Sequence, residues 1–296
     1  MPTTPAYGFQ TAIGIDTANP VTKRFDFQSE NLILSEDFKD TNGLRGTRSR
    51  AGERIVAGIR HVAGQITLQP NSLELANLLQ WIMGGTPTGT PAVTYPLADA
   101  LQTRFVTVDR VAKVFTYNGC VVDKCHIKGS QGEPLVITLD VCGLDETIAA
   151  AGSFPVIALD TTTQPFMFFE LAITIGGVTY QAKDVDITID NAIDKDRFFN
   201  SLTATALIAM DRHITVSFSL PYGDATTVYG LGAAGTAVVA TFTNGGAVLT
   251  LTMGRVAFPR HSPSVAGRQE VMLPFSGTAY KNGSTLELVT LLNPGP

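Results

Sequence analysis

The sequence predicts a mainly β protein: two tandem, similar domains, each a β-sandwich or partly open barrel with a short flanking helix. Three observations predict it. Short runs alternate apolar and polar residues and are rich in Val, Ile, Thr and Phe, as in RFVTVDRVAKVFTYNG, EPLVITLDVCG, FFELAITIGGVTY, AVLTLTMGRVAF and EVMLPFSG. Gly, Asn and Pro separate these runs. The strand pattern is also written twice: RHVAGQITLQP starts at Arg60 and RHITVSFSLPY at Arg212, an offset of 152.

The first copy opens with KRFDFQSENL from Lys23. Period-2 alternation puts Phe25 and Phe27 on one face and Asp26, Gln28 and Glu30 on the other. KDVDITIDNAI from Lys183 repeats it at an offset of 160, setting Asp26 with Asp186 and Glu30 with Asp190. Next comes the loop KDTNGLRGTRSRAGERIVAG, from Lys39 to Gly58, with Arg45, Arg48, Arg50 and Arg54 among glycines. It lacks the GxxxxGK[ST] spacing of a phosphate-cradling loop. Its counterpart runs from Ile193 to Leu207 and carries Asp194, Asp196, Phe198 and Phe199. The Arg-His strands follow, with His61, Gln65 and Thr67 on a polar face matched in the second copy by His213, Ser217 and Ser219.

NSLELANLLQWIMGG reads as a helix. Asn71 or Ser72 caps it, Leu75, Leu78, Leu79 and Ile82 form its apolar stripe, and Gly84–Gly85 ends it. A weaker helix is expected in the Gly/Ala-rich run from Thr226 to Gly235. Closing strands from Ile137 and Met272 complete the copies, at an offset of 135. The small, Pro-containing stretch AAAGSFPVIALDTTTQP sets the boundary, giving domains 1–152 and 153–296 related by internal duplication.

Composition narrows the function. At 44% hydrophobic and 16% charged, the chain can bury a full core, and partners are expected to cover part of its surface. Residues 1–152 carry 13 basic and 15 acidic side chains and the remainder 8 and 11, so neither half has the basic excess of a nucleic-acid gripper. Three cysteines without CxxC spacing argue against a disulfide framework or a zinc site. Cys120 and Cys125, an odd number apart, are expected on opposite faces of one strand. No signal peptide and no membrane span are expected. His61 and His213 lack a nucleophile or metal-ligand spacing nearby, so they read as structural; no catalytic residue, metal or cofactor is expected, and the protein is not read as an enzyme. Trp81 reads as helix packing.

The run SENLILSEDFKDTNGLRGTRSRAGERIVAGIRHVAGQITLQPNSLELANLLQWIMGG, echoed by ITIDNAIDKDRFF, SFSLPY and EVMLPFSG, resembles the tail tube (major tail) proteins of long-tailed bacteriophages in a two-domain version. The resemblance implies a structural virion protein, assembled in the host cytoplasm and located in the tail. Three chains would form a pseudo-hexameric ring, and rings would stack into a hollow tube for passage of double-stranded DNA. Its partners would be other copies of itself, a tape-measure protein and tail terminator or tip proteins, with no membrane insertion. It assigns Asp26, Glu30, Asp186 and Asp190 to the lumen, where acidic groups repel phosphates, against the alternative of an ordinary solvated face. It assigns Arg45, Arg48, Arg50 and Arg54, with Asp194, Asp196, Phe198 and Phe199, to ring stacking, against the alternative of surface loops. Other readings are a capsid decoration or tail-tip/baseplate hub protein, or a carbohydrate-binding adhesive module.

Overall fold

A computed structural model describes residues 6–40, 46–49, 52–260, 262, 265, 267–268 and 270–295. The chain is mainly β, and its sheets are antiparallel. The first half holds β1 (Ala12–Asp16), β2 (Arg24–Phe25), β3 (Ser29–Glu30), β4 (Ile33–Asp40), β5 (Ile55–Leu68), α1 (Ser72–Met83), β6 (Val93–Pro96), β7 (Arg104–Asp109), β8 (Lys113–Ser130), β9 (Val136–Gly143) and β10 (Asp145–Ala150). The second holds β11 (Leu171–Ile175), β12 (Val178–Tyr180), β13 (Asp184–Asp190), β14 (Ile193–Asp194), β15 (Ile208–Ala209), β16 (His213–Pro221), α2 (Tyr222–Leu231), β17 (Thr236–Asn244), β18 (Ala247–Ala257), β19 (Met272–Ala279) and β20 (Val289–Asn293).

The pairings repeat. An outer layer joins β2–β1–β7–β8–β10 in the first half and β12–β11–β17–β18–β20 in the second. An inner layer joins β3/β4–β5–β9–β8 and then β13–β16–β19–β18. The long strands β8 and β18 belong to both layers. β8 changes layer between Cys120, which pairs with β7, and Val121, which pairs with β9, and a register shift follows between Val122 and Lys124. That bulge also resets the alternation, so Cys120 and Cys125 are both buried rather than on opposite sides of one exposed ribbon; all three cysteines are free.

Register corrects one sequence alignment. Leu68 faces Ile137 and Leu220 faces Leu273, which keeps the Arg-His offset of 152 and makes the closing offset 136. Glu30 faces Ile66 while Val185 faces Phe218, so the first block is offset by 155, not 160. Glu30 is therefore the counterpart of Val185, and Ser35, opposite His61, is the counterpart of Asp190, opposite His213. Alternation alone could not fix this, because it does not say which residue of β5 stands opposite; the pairing itself keeps one register from Ser29 to Glu36 across Asn31–Leu32. There Gly64 is required: a Cβ would sit 2.6 Å from the Asn31 carbonyl oxygen.

Both helices form. Asn71 caps α1, accepting from Leu73 and Glu74 N–H, and Gly84 at φ 80° ends it. Leu75, Leu78, Leu79 and Ile82 are fully buried, and Trp81 Nε1 donates to the Cys120 carbonyl at 3.1 Å. The weaker helix starts at Tyr222, four residues before the expected Thr226, and passes into a 3-10 turn at Gly232–Ala234.

Two strand pairings among the described residues join the halves. β13 pairs with the far end of β8, and β6 crosses over to pair with β20. One hydrophobic cluster runs through both halves.

Candidate functional site

Joining β8 to β13 makes the inner layers one sheet of eight strands. Its two faces differ sharply. Leu68, Ile137, Ile127, Ile187 and Val216 stand opposite one another in turn and are buried, as are Ile66, Leu139, Cys125, Ile189 and Ile214. The other face is polar. One row runs Ser29, Thr67, Thr138, His126, Thr188, Thr215 and Thr278, across both halves. The next runs Asn31, Gln65, Asp140, Lys124, Asp190 and His213. Directly paired residues share a face, so each row follows from register.

The junction carries the charge on this face. Lys124 Nζ lies 2.9 Å from Asp190 and Lys128 Nζ 3.5 Å from Asp186. His126 Nδ1 is 3.0 Å from the Thr188 hydroxyl and 3.9 Å from Asp186. Partial burial works against the Asp190 carboxylate. Hydrogen bonds from Lys124 and the Ala192 N–H nevertheless hold its pKa below the ordinary carboxyl value. The hydrogen bond to Asp190 raises Lys124 in return. Beside this face, buried Asn191 donates from Nδ2 to the Val122 carbonyl at 3.0 Å, and Lys195 meets Asp123 at 2.6 Å. These contacts fix the first half to the second.

The Arg of each Arg-His pair turns the other way. Arg60 reaches Asp145 at the start of β10 and Arg212 reaches Glu287 just before β20, both at 3.6 Å. Arg212 also donates to the Ala98 carbonyl at 3.0 Å. The repeated arginine is therefore a clasp between the layers. His61 and His213 lie exposed on the polar side.

Of the four carboxylates assigned to a lumen from sequence, Asp186 and Asp190 share the polar face. Glu30 does not join them: both its oxygens accept from Arg110, at 2.9 and 2.8 Å. Asp26 is exposed beside β2, its N–H held by Glu74 at 2.8 Å, and burial pushes the Glu74 carboxyl up. Lys124, His126 and Lys128 were not singled out from sequence. Their alternation with Cys125 and Ile127 is legible in DKCHIKGS, but which strand faces them is not.

The candidate stacking residues lie at one end. β4 and β5 form a long hairpin whose outer part exposes Phe38, Ile55 and Val56. Arg54 sits in a 3-10 turn before β5 and Arg48 in the bend at 46–49, while Arg45 and Arg50 lie outside the described residues. In the second half the matching hairpin shrinks to β14–β15. Asp194 pairs with Arg197 at 3.7 Å, the Asp196 N–H bonds Asp194, Phe198 is half-buried, and the exposed Phe199 ring lies 5.1 Å under Arg197. The Arg60 N–H donates to the Leu202 carbonyl at 2.8 Å, so the second loop rests on the base of the first hairpin.

Among the described residues no cluster of three or more His, Cys, Asp or Glu is placed to hold a metal ion, and no helix is long and apolar enough to cross a membrane. A broad sheet face of ordered polar rows, backed by one core, is the architecture of a structural β protein. The family model of phage tail tube proteins matches residues 3–279. The chain belongs to that family and is a structural protein of the virion tail that self-assembles into a tube. No curated protein matches it.

Proposed function

We propose that three copies of this chain close into a ring, the two halves (domains 1–152 and 153–296, related by duplication) standing in for six like subunits. Stacked rings form the hollow tail tube through which double-stranded DNA passes. The observation that carries this reading is the polar row from Ser29 to Thr278, hydroxyls but for His126, which continues across the boundary between halves. Head-to-tail repetition of such a sheet closes in the ring plane and stays open along the axis.

In this reading the polar face is the lumen wall. Asp186 and Asp190 lie on the wall, each paired with a lysine, and Asp26 lies nearer the rim, while Glu30 is already occupied by Arg110. The junction lysines are spent on carboxylates, so the wall offers DNA phosphates hydroxyls and few free cations; little counterion is released and the polymer slides. The β4–β5 hairpin and the Ile193–Leu207 loop contact the next ring. There Arg45, Arg48, Arg50 and Arg54 face Asp194 and Asp196, with Phe198 and Phe199 and the exposed hairpin side chains adding apolar area. The tape-measure, terminator and tip proteins would bind the tube's bore and ends, and assembly takes place in the host cytoplasm.

Electron microscopy of the purified chain tests this. Stacked rings with a central channel are expected; discrete particles without a channel would fit a capsid decoration, hub or adhesive protein instead. Deleting Gly43 to Arg50 is expected to leave rings that do not stack, and normal tubes from that variant would remove the loop's role.

A further inference from the structure

The end of the polar face in the second half differs in chemistry from its counterpart in the first. Beyond Thr278, Tyr280 N–H bonds the Arg255 carbonyl at 2.8 Å, just as Leu144 N–H bonds the Asn118 carbonyl at 3.0 Å. The closing offset of 136 sets Thr278 with Cys142, Tyr280 with Leu144 and Lys281 with Asp145. The shared hydrogen bond sets Arg255 with Asn118. A thiol, an apolar side chain, a carboxylate and an amide in the first half are thus two hydroxyls, a lysine and an arginine in the second. The surroundings differ as well. In the first half Ile193, Leu207 and Ala209 cover Val121 and Cys142. In the second, Thr278, Tyr280, Arg255, Lys281 and Arg212 line an open pocket of about 550 Å³.

The cations of this pocket are short of anions. Asp145 pairs with Arg60, but Lys281 stands in its place, and Arg212 turns to Glu287 at 3.6 Å. Arg212 Nε is left buried without a hydrogen-bond partner. Arg255 and Lys281 are exposed and meet no carboxylate among the described residues. Arg255 Nη2 has one distant acceptor, the Ala233 carbonyl at 3.5 Å. Among the described residues Glu287 is the one carboxylate lining the pocket, in a chain whose net charge is −5.

We propose that this pocket binds a phosphate group. The proposal does not depend on the ring reading. Guanidinium forks match the paired oxygens of a phosphate, and the Lys281 ammonium adds a point charge. The hydroxyls of Thr278 and Tyr280 supply donors for the remaining oxygens. Arg212, Arg255 and Lys281 against Glu287 leave two positive charges over, which a phosphate dianion balances and a single carboxylate does not. The phosphate is either a free anion or part of a DNA backbone. The chemistry is shared, and the test separates the two sources.

Equilibrium dialysis of the purified chain against radiolabelled inorganic phosphate, at fixed ionic strength, is the experiment. Saturable binding of one phosphate per chain is expected. Arg255→Asn/Lys281→Asp writes the first-half residues into the second half and should weaken binding at least about tenfold. Both side chains are exposed, so this variant should unfold in denaturant as wild type does. Lys113→Ala removes an exposed cation from the first half and should leave binding unchanged. No saturable binding, undiminished binding by the double variant, or an equal loss in Lys113→Ala would overturn the proposal. Short double-stranded DNA is then added as a competitor at the same ionic strength. Displacement of the bound phosphate would make the DNA backbone the source, and phosphate that stays bound would make the free anion the ligand.

Discussion

The two halves share their strand pairings but treat one hairpin differently. In the first half β4 and β5 extend into a long, exposed ribbon, and the outer edge of Ser29–Ser35 carries only side-chain caps. In the second half the ribbon is cut to β14–β15 and the edge is filled by β8. The junction that one half has built inside the chain is the junction the other half lacks. In the proposed ring each pair of halves needs two such joints; the chain itself supplies one, and assembly would supply the other.

The comparison can be broken first at the core. Trp81 anchors α1 to β8 through its hydrogen bond to the Cys120 carbonyl. Trp81→Ala is expected to cost about 3–5 kcal/mol. Because one cluster spans both halves, a single denaturation transition should shift as a whole; separate transitions for the halves would show that the junction does not couple them.

A smaller effect sharpens the arginine clasps. Arg212 is more buried than Arg60 and also holds the Ala98 carbonyl. Arg212→Met should cost about 1.5–3 kcal/mol, and Arg60→Met under about 1 kcal/mol, as read from chemical denaturation. Equal losses would mean that the Ala98 contact adds nothing.

The smallest effect is on acidification. The Asp190 carboxylate is held below its ordinary pKa of 3.8, so the stability it contributes is present above that value and lost as pH falls through the folded pKa. Below about pH 4 wild type should lose stability more steeply than Asp190→Asn. Parallel curves would detach Asp190 from the junction.

Much of this was legible in the sequence. Period-2 runs gave the strands, Asn71 and Gly84 gave the ends of α1, and the repeated Arg-His marked β5 and β16, which pair alike in the two halves. What stayed hidden depends on contacts between distant segments. Glu30 and Asp190 look alike in sequence, yet pairing with the Arg-His strands sets them five positions apart, and Arg110 captures Glu30. The Cys120–Cys125 alternation failed because the β8 bulge adds a residue. The Arg of Arg-His, not its His, does the joining, and its carboxylate partners lie on strands that period-2 patterning cannot assign to it.

Counting chains in one ring tests the central claim most directly, by native mass spectrometry of isolated rings together with an end-on image. Three chains around an open channel walled by the face bearing Thr188 and Asp190 is the predicted result. Six chains per ring, or a channel walled by the outer sheets, would contradict it.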